Sequence, residues 1–339
     1  MSGRALRWLL SLGPGAVTRR HKAAVLTIVR HHRVYADHER PLYALGVRES
    51  TFAGQLEACR HAHLVPVTVR EGLARLVRGD AGQAVAFTFN DGYADNVGRA
   101  LPMMRRMGAR GTFYLAAGLM ETRTAPWWDE LAHALEHGRE ASASVRLAEA
   151  ELHVERATPA GRSAALRALL PLLRVPPAEQ RRRLDTLRAA LGVDAAAPCE
   201  LATLEAARAL HEAGMELGAH TLTHPFLSLL PADDQRREMA DSAARIRAVT
   251  GAEVTGVAYP NGDHDAVTVE QARAAGFAYA VSTRAGDCVA GSPAWSLPRR
   301  ALPEGACVGP GGRFSERMTR AELAGAFDRL RGRTAEVAS

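Results

Sequence analysis

The sequence predicts an α/β protein, a parallel sheet with helices packed outside it. Apolar, β-rich runs alternate with helix-like stretches along most of the 339 residues, the pattern of a parallel sheet built from crossover connections. The segments richest in chemical groups follow directly after such runs. Closed sheets of this type carry their chemistry at the C-terminal ends of strands. One long stretch breaks the alternation and reads as an insertion between two strands.

In chain order, strands are expected at 24–29, 64–67, 85–89, 111–115, 215–219, 255–259 and 278–282, with a short one near 297–301. Helical patterns fall between several of them, at 51–61, 69–77, 96–107, 201–213, 231–250 and 268–275. The stretch from about 122 to 197 is rich in Ala, Arg, Leu and Glu, nearly free of β-branched runs, and broken by Val175-Pro176-Pro177. It is expected to be helical. It opens with Pro126-Trp127-Trp128-Asp129, whose indoles can stack on a sugar ring or anchor a helix start in the core. The expected organisation is a basic, amphipathic segment over 1–23, a main domain over 24–305 with the insertion at about 122–197, and a C-terminal helix and tail over 306–339.

With 47% hydrophobic and 24% charged residues, the composition is ordinary for a globular protein, and the length allows a large core. The net charge of +6 is mostly arginine spread along helix-like stretches, with no nucleic-acid motif beside it. Cys59, Cys199, Cys288 and Cys307 are widely spaced and form no CxxC, so free thiols in a reducing compartment are expected. The run Trp8-Leu9-Leu10-Ser11-Leu12 is too short to cross a bilayer, and Arg19-Arg20-His21-Lys22 follows without a clean cleavage site. A cytoplasmic protein is expected, with peripheral membrane contact open to its N-terminal segment. The tail beyond about residue 335 is expected to fray.

Two segments carry the chemistry. Thr88-Phe89-Asn90-Asp91-Gly92-Tyr93 and His220-Thr221-Leu222-Thr223-His224 each end a strand. Asp91, His220 and His224 supply one carboxylate and two imidazoles, a good set for a divalent metal with open positions. Taken singly, Asp91 is a plausible turn residue, and each histidine is more often surface or core. Three such groups at strand ends favour the metal. The two histidines, four apart, share a face if the segment is helical. His31 and His32 end the first strand, and an imidazole there is a candidate general acid, competing with a surface histidine. Tyr259-Pro260-Asn261-Gly262 follows another strand, where a turn can aim an N–H at a developing oxyanion. Arg299 and Arg300 are candidates to hold a substrate group.

Thr-Phe-Asn-Asp-Gly-Tyr, His-Thr-Leu-Thr-His and Tyr-Pro-Asn-Gly, in this order and behind His31-His32-Arg33-Val34, resemble the motifs of the NodB-type polysaccharide deacetylases, carbohydrate esterase family 4. The resemblance implies a distorted (β/α)7 barrel with the helical insertion set into it. It implies that Asp91, His220 and His224 hold the metal, usually zinc and sometimes cobalt or nickel. It implies His32 as general acid and the Asn261 backbone N–H as oxyanion donor. Tyr93, Tyr259, Pro260, Arg299, Trp127 and Trp128 are the residues expected to bind substrate. Asn90 stands where the family has the aspartate base, and Ala258 where many members have an arginine that orients it.

The function expected is metal-dependent removal of an N-acetyl group from an amino sugar or glycoconjugate, impaired because Asn90 replaces the base. Two readings compete with it: a catalytically inactive sugar-binding homologue, and a hydrolase of a non-sugar amide. Asp263 and Asp265 are candidate substitute bases.

Overall fold

The computed structural model describes residues 23–327, apart from 65, 81 and 148. The expectations for the N-terminal segment and the frayed tail lie outside these residues. The core is an eight-stranded sheet. One short strand, Cys288–Val289, runs antiparallel beside the first strand. The other seven are parallel, and in chain order are β1 (Ala24–His31), β2 (Gly82–Phe89), β3 (Gly111–Leu115), β4 (Glu216–Ala219), β5 (Gly256–Ala258), β6 (Tyr279–Val281) and β7 (Arg300–Ala301). They lie in the order β6-β5-β4-β3-β2-β1-β7. The chain near β7 curls the sheet on itself: Leu297 bridges to Val281 of β6, and Arg300 pairs with Val29 of β1. This is the distorted (β/α)7 barrel.

Strand alternation sorts the core into two layers. Leu26, Ile28, Ala84, Ala86, Tyr114, Ala258 and Val281 fill the inside. Val29, Phe87, Phe89, Phe113 and Leu217 point outward and meet the helices. His31 belongs to the outer set, stacked on Phe87 and edge-on to Phe52. Deep in the barrel Glu216 accepts from Tyr279 Oη at 2.7 Å and Thr112 Oγ1 at 2.8 Å. This satisfies a buried carboxylate far from the mouth.

The helices at Glu49–His61, Val69–Arg78, Ala232–Thr250 and Ala266–Ala274 match the expected ones within the usual end-fraying. Four expectations need correction. Of 64–67, the described residues 64, 66 and 67 belong to no strand; Pro66, without an N–H, makes a single bridge to Val85. The 96–107 helix is a π-turn, Asn96–Ala100, running into Leu101–Arg106. Of 201–213 only Arg208–Glu212 is α-helical, and Leu201 instead bridges to Tyr93. The insertion is not all helical. Its helices, Trp127–His137, Pro159–Leu169 and Pro177–Ala190, enclose a hairpin of Ser142–Leu147 and Ala150–Glu155.

The insertion has its own core of Leu131, Leu135, Val145, Val154, Leu166 and Leu187. Helix Glu316–Leu323 closes the described chain. Among the described residues no helix is long and apolar enough to cross a membrane.

Candidate active site and metal centre

At the end of β2 the inward alternation that carries Ala84, Ala86 and Thr88 continues to Asn90, whose N–H donates to the His31 carbonyl at 3.0 Å. The chain then turns sharply, with φ of 75° at Asp91 and 89° at Gly92. Position 92 needs glycine, because a Cβ there would stand 2.4 Å from Met120 Sδ. This turn aims the Asp91 carboxylate into the barrel mouth.

The histidine segment is a loop, which corrects the helical geometry considered from the sequence. Thr221 and His224 are both left-handed, with φ of 63° and 58°. The Thr221 hydroxyl accepts from the His224 N–H at 3.0 Å. Glu238, from the helix behind, accepts from the Leu222 and Thr223 N–H groups at 2.8 and 2.9 Å. The loop is thus held from two sides, and the two imidazoles end with ring centroids 4.8 Å apart. Of the six described non-glycine residues with positive φ, four (Asp91, Thr221, His224 and Asn261) stand at this mouth. Backbone strain of this kind concentrates at functional sites.

Asp91 Oδ1 lies 3.3 Å from His220 Nε2 and 3.7 Å from His224 Nε2. One ligand atom from each residue falls within 4.8 Å of the others, and all three residues are buried. His220 Nδ1 donates to the Ala258 carbonyl at 2.7 Å, which leaves its Nε2 lone pair facing Asp91. Asp91 Oδ1, His220 Nε2 and His224 Nδ1 are buried without a hydrogen-bond partner. Burial pushes the Asp91 carboxyl up, but the close imidazoles of His220, His32 and His224 outweigh it and hold it at about 2. Burial, then the neighbouring His220, brings His224 down to about 3. An ionised carboxylate beside a neutral imidazole, with orphaned donor atoms, fits a divalent cation.

Beside this cluster opens a cavity of about 420 Å³. Asn90, Asp91, His224, His32 and Asn261 line it. The Asn261 N–H is taken by no hydrogen bond within the described residues. His32 is half-buried, and burial brings its imidazole down to about 4. Trp127 and Trp128 line the same cavity. Trp128 lies edge-on to the His224 ring at 4.3 Å, and its Nε1 donates to Tyr93 Oη at 2.8 Å.

Four residues placed toward the substrate from the sequence do not line the cavity. Tyr93 is fully buried and donates its hydroxyl to Asp129 of the insertion at 2.9 Å. Tyr259 is buried, stacked on His264, with its hydroxyl on the Trp295 carbonyl. Pro260 is buried in the turn before Asn261.

Arg299 is 1% exposed and runs behind Asn90. Its Nη1 donates to Asn90 Oδ1 at 2.8 Å and its Nε to the Ser282 carbonyl at 2.8 Å. The arginine that meets position 90 is thus Arg299, and residue 258 is an alanine. Its neighbour Arg300 forks onto Asp287. Neither candidate substitute base reaches the mouth: Asp263 pairs with Arg174 and accepts from Ser228, and Asp265 caps the helix at Ala266.

Sequence reasoning misses Glu238, the Ala258 carbonyl and Arg30, which also lines the cavity. Arg30 was legible in one respect: on β1 it sits two before His32, on the same face.

The family model described as polysaccharide deacetylase matches residues 78–144 and 178–280, together half of the chain. The chain belongs to the polysaccharide deacetylase family. It is a hydrolase of the class that cleaves carbon–nitrogen bonds other than peptide bonds. The gap in the match falls within the insertion. No protein of curated function matches in sequence.

Several solved structures share the deacetylase fold. The Streptococcus pyogenes deacetylase PplD, solved with acetate, is 18% identical with a TM-score of 0.56, over 83% of this chain and 93% of that one. IcaB from Ammonifex degensii is 18% identical with a TM-score of 0.54, over 88% and 97%. BC0361, a polysaccharide deacetylase from Bacillus cereus, is 12% identical with a TM-score of 0.56, over 89% and 69%. At these identities the likeness is one of fold.

Proposed function

We propose that this deacetylase hydrolyses the N-acetyl group of an amino sugar or glycoconjugate with a bound divalent metal, and that Asn90 makes it slow. The observation that carries the reading is the buried Asp91, His220 and His224 cluster with its unpartnered donor atoms, of which Asp91 and His224 line the cavity. These three residues would hold the cation, zinc being the first expectation. Such a cation supplies Lewis acidity toward an amide carbonyl and a neighbouring water.

The remaining roles fall to the chain itself. The Asn261 N–H offers a hydrogen bond to the oxygen of an amide under attack. Asn90 is tied through Oδ1 to Arg299 and has no basic atom, so it orients but takes no proton. His32, held neutral by burial, accepts a proton in its resting form. Only after accepting one can it serve as the acid that protonates the leaving amine. Trp127 and Trp128 at the mouth support a sugar over a non-sugar amide.

The test is acetate release from N-acetylated glucosamine oligomers by the zinc-loaded protein, beside its Asp91→Ala variant. Slow release that needs zinc and disappears in the variant supports the reading. Glycan binding without any release, at any zinc concentration, moves the chain to a sugar-binding role.

A further inference from the structure

We infer that the substrate carries an anionic group, a carboxylate or a phosphate, close to its N-acetyl group, and that Arg30 is the residue that binds it. This deepens the deacetylase reading and rests on it.

Arg30 follows Leu26 and Ile28 on the inward face of β1, one step from the end of the strand. Alternation therefore places it in the barrel mouth with His32, and both line the cavity. It is half-buried, and among the described residues no carboxylate lies within ion-pair distance of it. A guanidinium removed from water is normally paired. Asp91 is the one carboxylate lining the cavity, and it lies against His220 and His224 rather than within ion-pair distance of Arg30.

A second cation adds to the imbalance. Arg299, buried just behind Asn90, has neutral partners in the Asn90 amide, the Thr88 hydroxyl and the Ser282 carbonyl. Its Nη2 has no partner. With an asparagine at position 90, one arginine faces the mouth and a second lies just behind it, while the single carboxylate lining the cavity belongs to the proposed metal cluster. A divalent ion in that cluster makes the cavity more positive still. Burial lowers the affinity of both arginines for their protons, and at Arg299 the charge of Arg30 adds to it; an incoming anion would reverse this. A guanidinium fork matches a carboxylate or a phosphate two oxygens at a time. The polar groups beside it, Tyr43 and Thr283, and the two tryptophans leave room for a sugar ring to bring such a group in.

The experiment is a set of binding isotherms with the full chain, with chelator present so that no cation attracts the anion. The probes are N-acetylglucosamine, N-acetylglucosamine 1-phosphate and N-acetylglucosaminuronic acid. The anionic sugars are expected to bind about 10- to 100-fold more tightly than the neutral one. Arg30→Met should bring that ratio close to one without lowering the melting temperature, because the Arg30 side chain makes no hydrogen bond to the described residues. Arg30→Lys should keep part of it. Preference for one anionic sugar over the other assigns the group as phosphate or carboxylate. A ratio near one in the unmodified chain, or a ratio that survives Arg30→Met, overturns the inference.

Acetate release, followed separately with zinc in the Asn90→Asp variant, keeps the two readings apart. Release without anion preference leaves the deacetylase standing and removes Arg30 from recognition. Arg30-dependent anion preference without release leaves the recognition standing and removes the deacetylase.

Discussion

Arg299 Nη1 donates to Asn90 Oδ1 at 2.8 Å in a fully buried setting. The arginine is held as though for a carboxylate, and it meets an amide. Restoring the acid should create a buried ion pair. Arg299→Met is expected to cost about 3–5 kcal/mol in the Asn90→Asp background, where it strands a buried charge. In the unmodified chain it should cost about 1–3 kcal/mol, the price of unmet hydrogen bonds alone. Chemical denaturation of the four proteins measures the difference; equal costs in both backgrounds would show that Arg299 is not placed for a carboxylate.

Metal should stabilise the fold through the Asp91 cluster. At a free zinc concentration about 100 times Kd, linkage predicts roughly 2.7 kcal/mol of added stability. Thermal melts with and without zinc should therefore differ for the unmodified chain and coincide for Asp91→Ala. A shift of equal size in both would place the binding elsewhere.

Glu238 touches neither the cavity nor the ligands, yet it holds the loop that presents His224. Glu238→Ala is expected to weaken zinc about 10- to 100-fold, as loss of outer-shell support does in metal sites. Zinc titration against a competing chelator reads this directly. Unchanged affinity would mean that the Thr221 turn alone fixes the loop.

Asp129 links the insertion to the site through Tyr93 and Trp128. Burial pushes its carboxyl up to about 7, against the pull of the Tyr93 hydrogen bond. The folded protein thus holds this proton more tightly than the unfolded chain, where the ordinary value is about 3.9. The stability it contributes is complete below about pH 4 and is lost as pH rises toward 7. Asp129→Asn should flatten that decline. Denaturation midpoints of the two proteins from pH 4 to 8 should converge or cross; parallel curves would contradict the assignment.

Much of the barrel was legible because its strands are short apolar runs with helices between, and all seven parallel strands fell where strands were expected. The ligand trio was legible from residue type at strand ends, but its geometry was not. Nothing in His-Thr-Leu-Thr-His announces two left-handed residues, because they are stabilised by Glu238 from a distant helix. The hairpin at 142–155 was missed because Ala, Ser, Arg and Glu dominate it, and only Val145, Leu147 and Val154 are buried. Tyr93 and Arg299 were placed by motif adjacency. Neighbours in sequence at a strand end point to opposite faces, and packing, not adjacency, decides which one meets the substrate.

The central claim is that this is a deacetylase site short of its base. Acetate release by the zinc-loaded chain should therefore be compared directly with that of Asn90→Asp on the same N-acetylated sugar. The account predicts a gain of about 10²- to 10⁴-fold in kcat for the variant. Equal rates in the two proteins would contradict it and place the base at another residue.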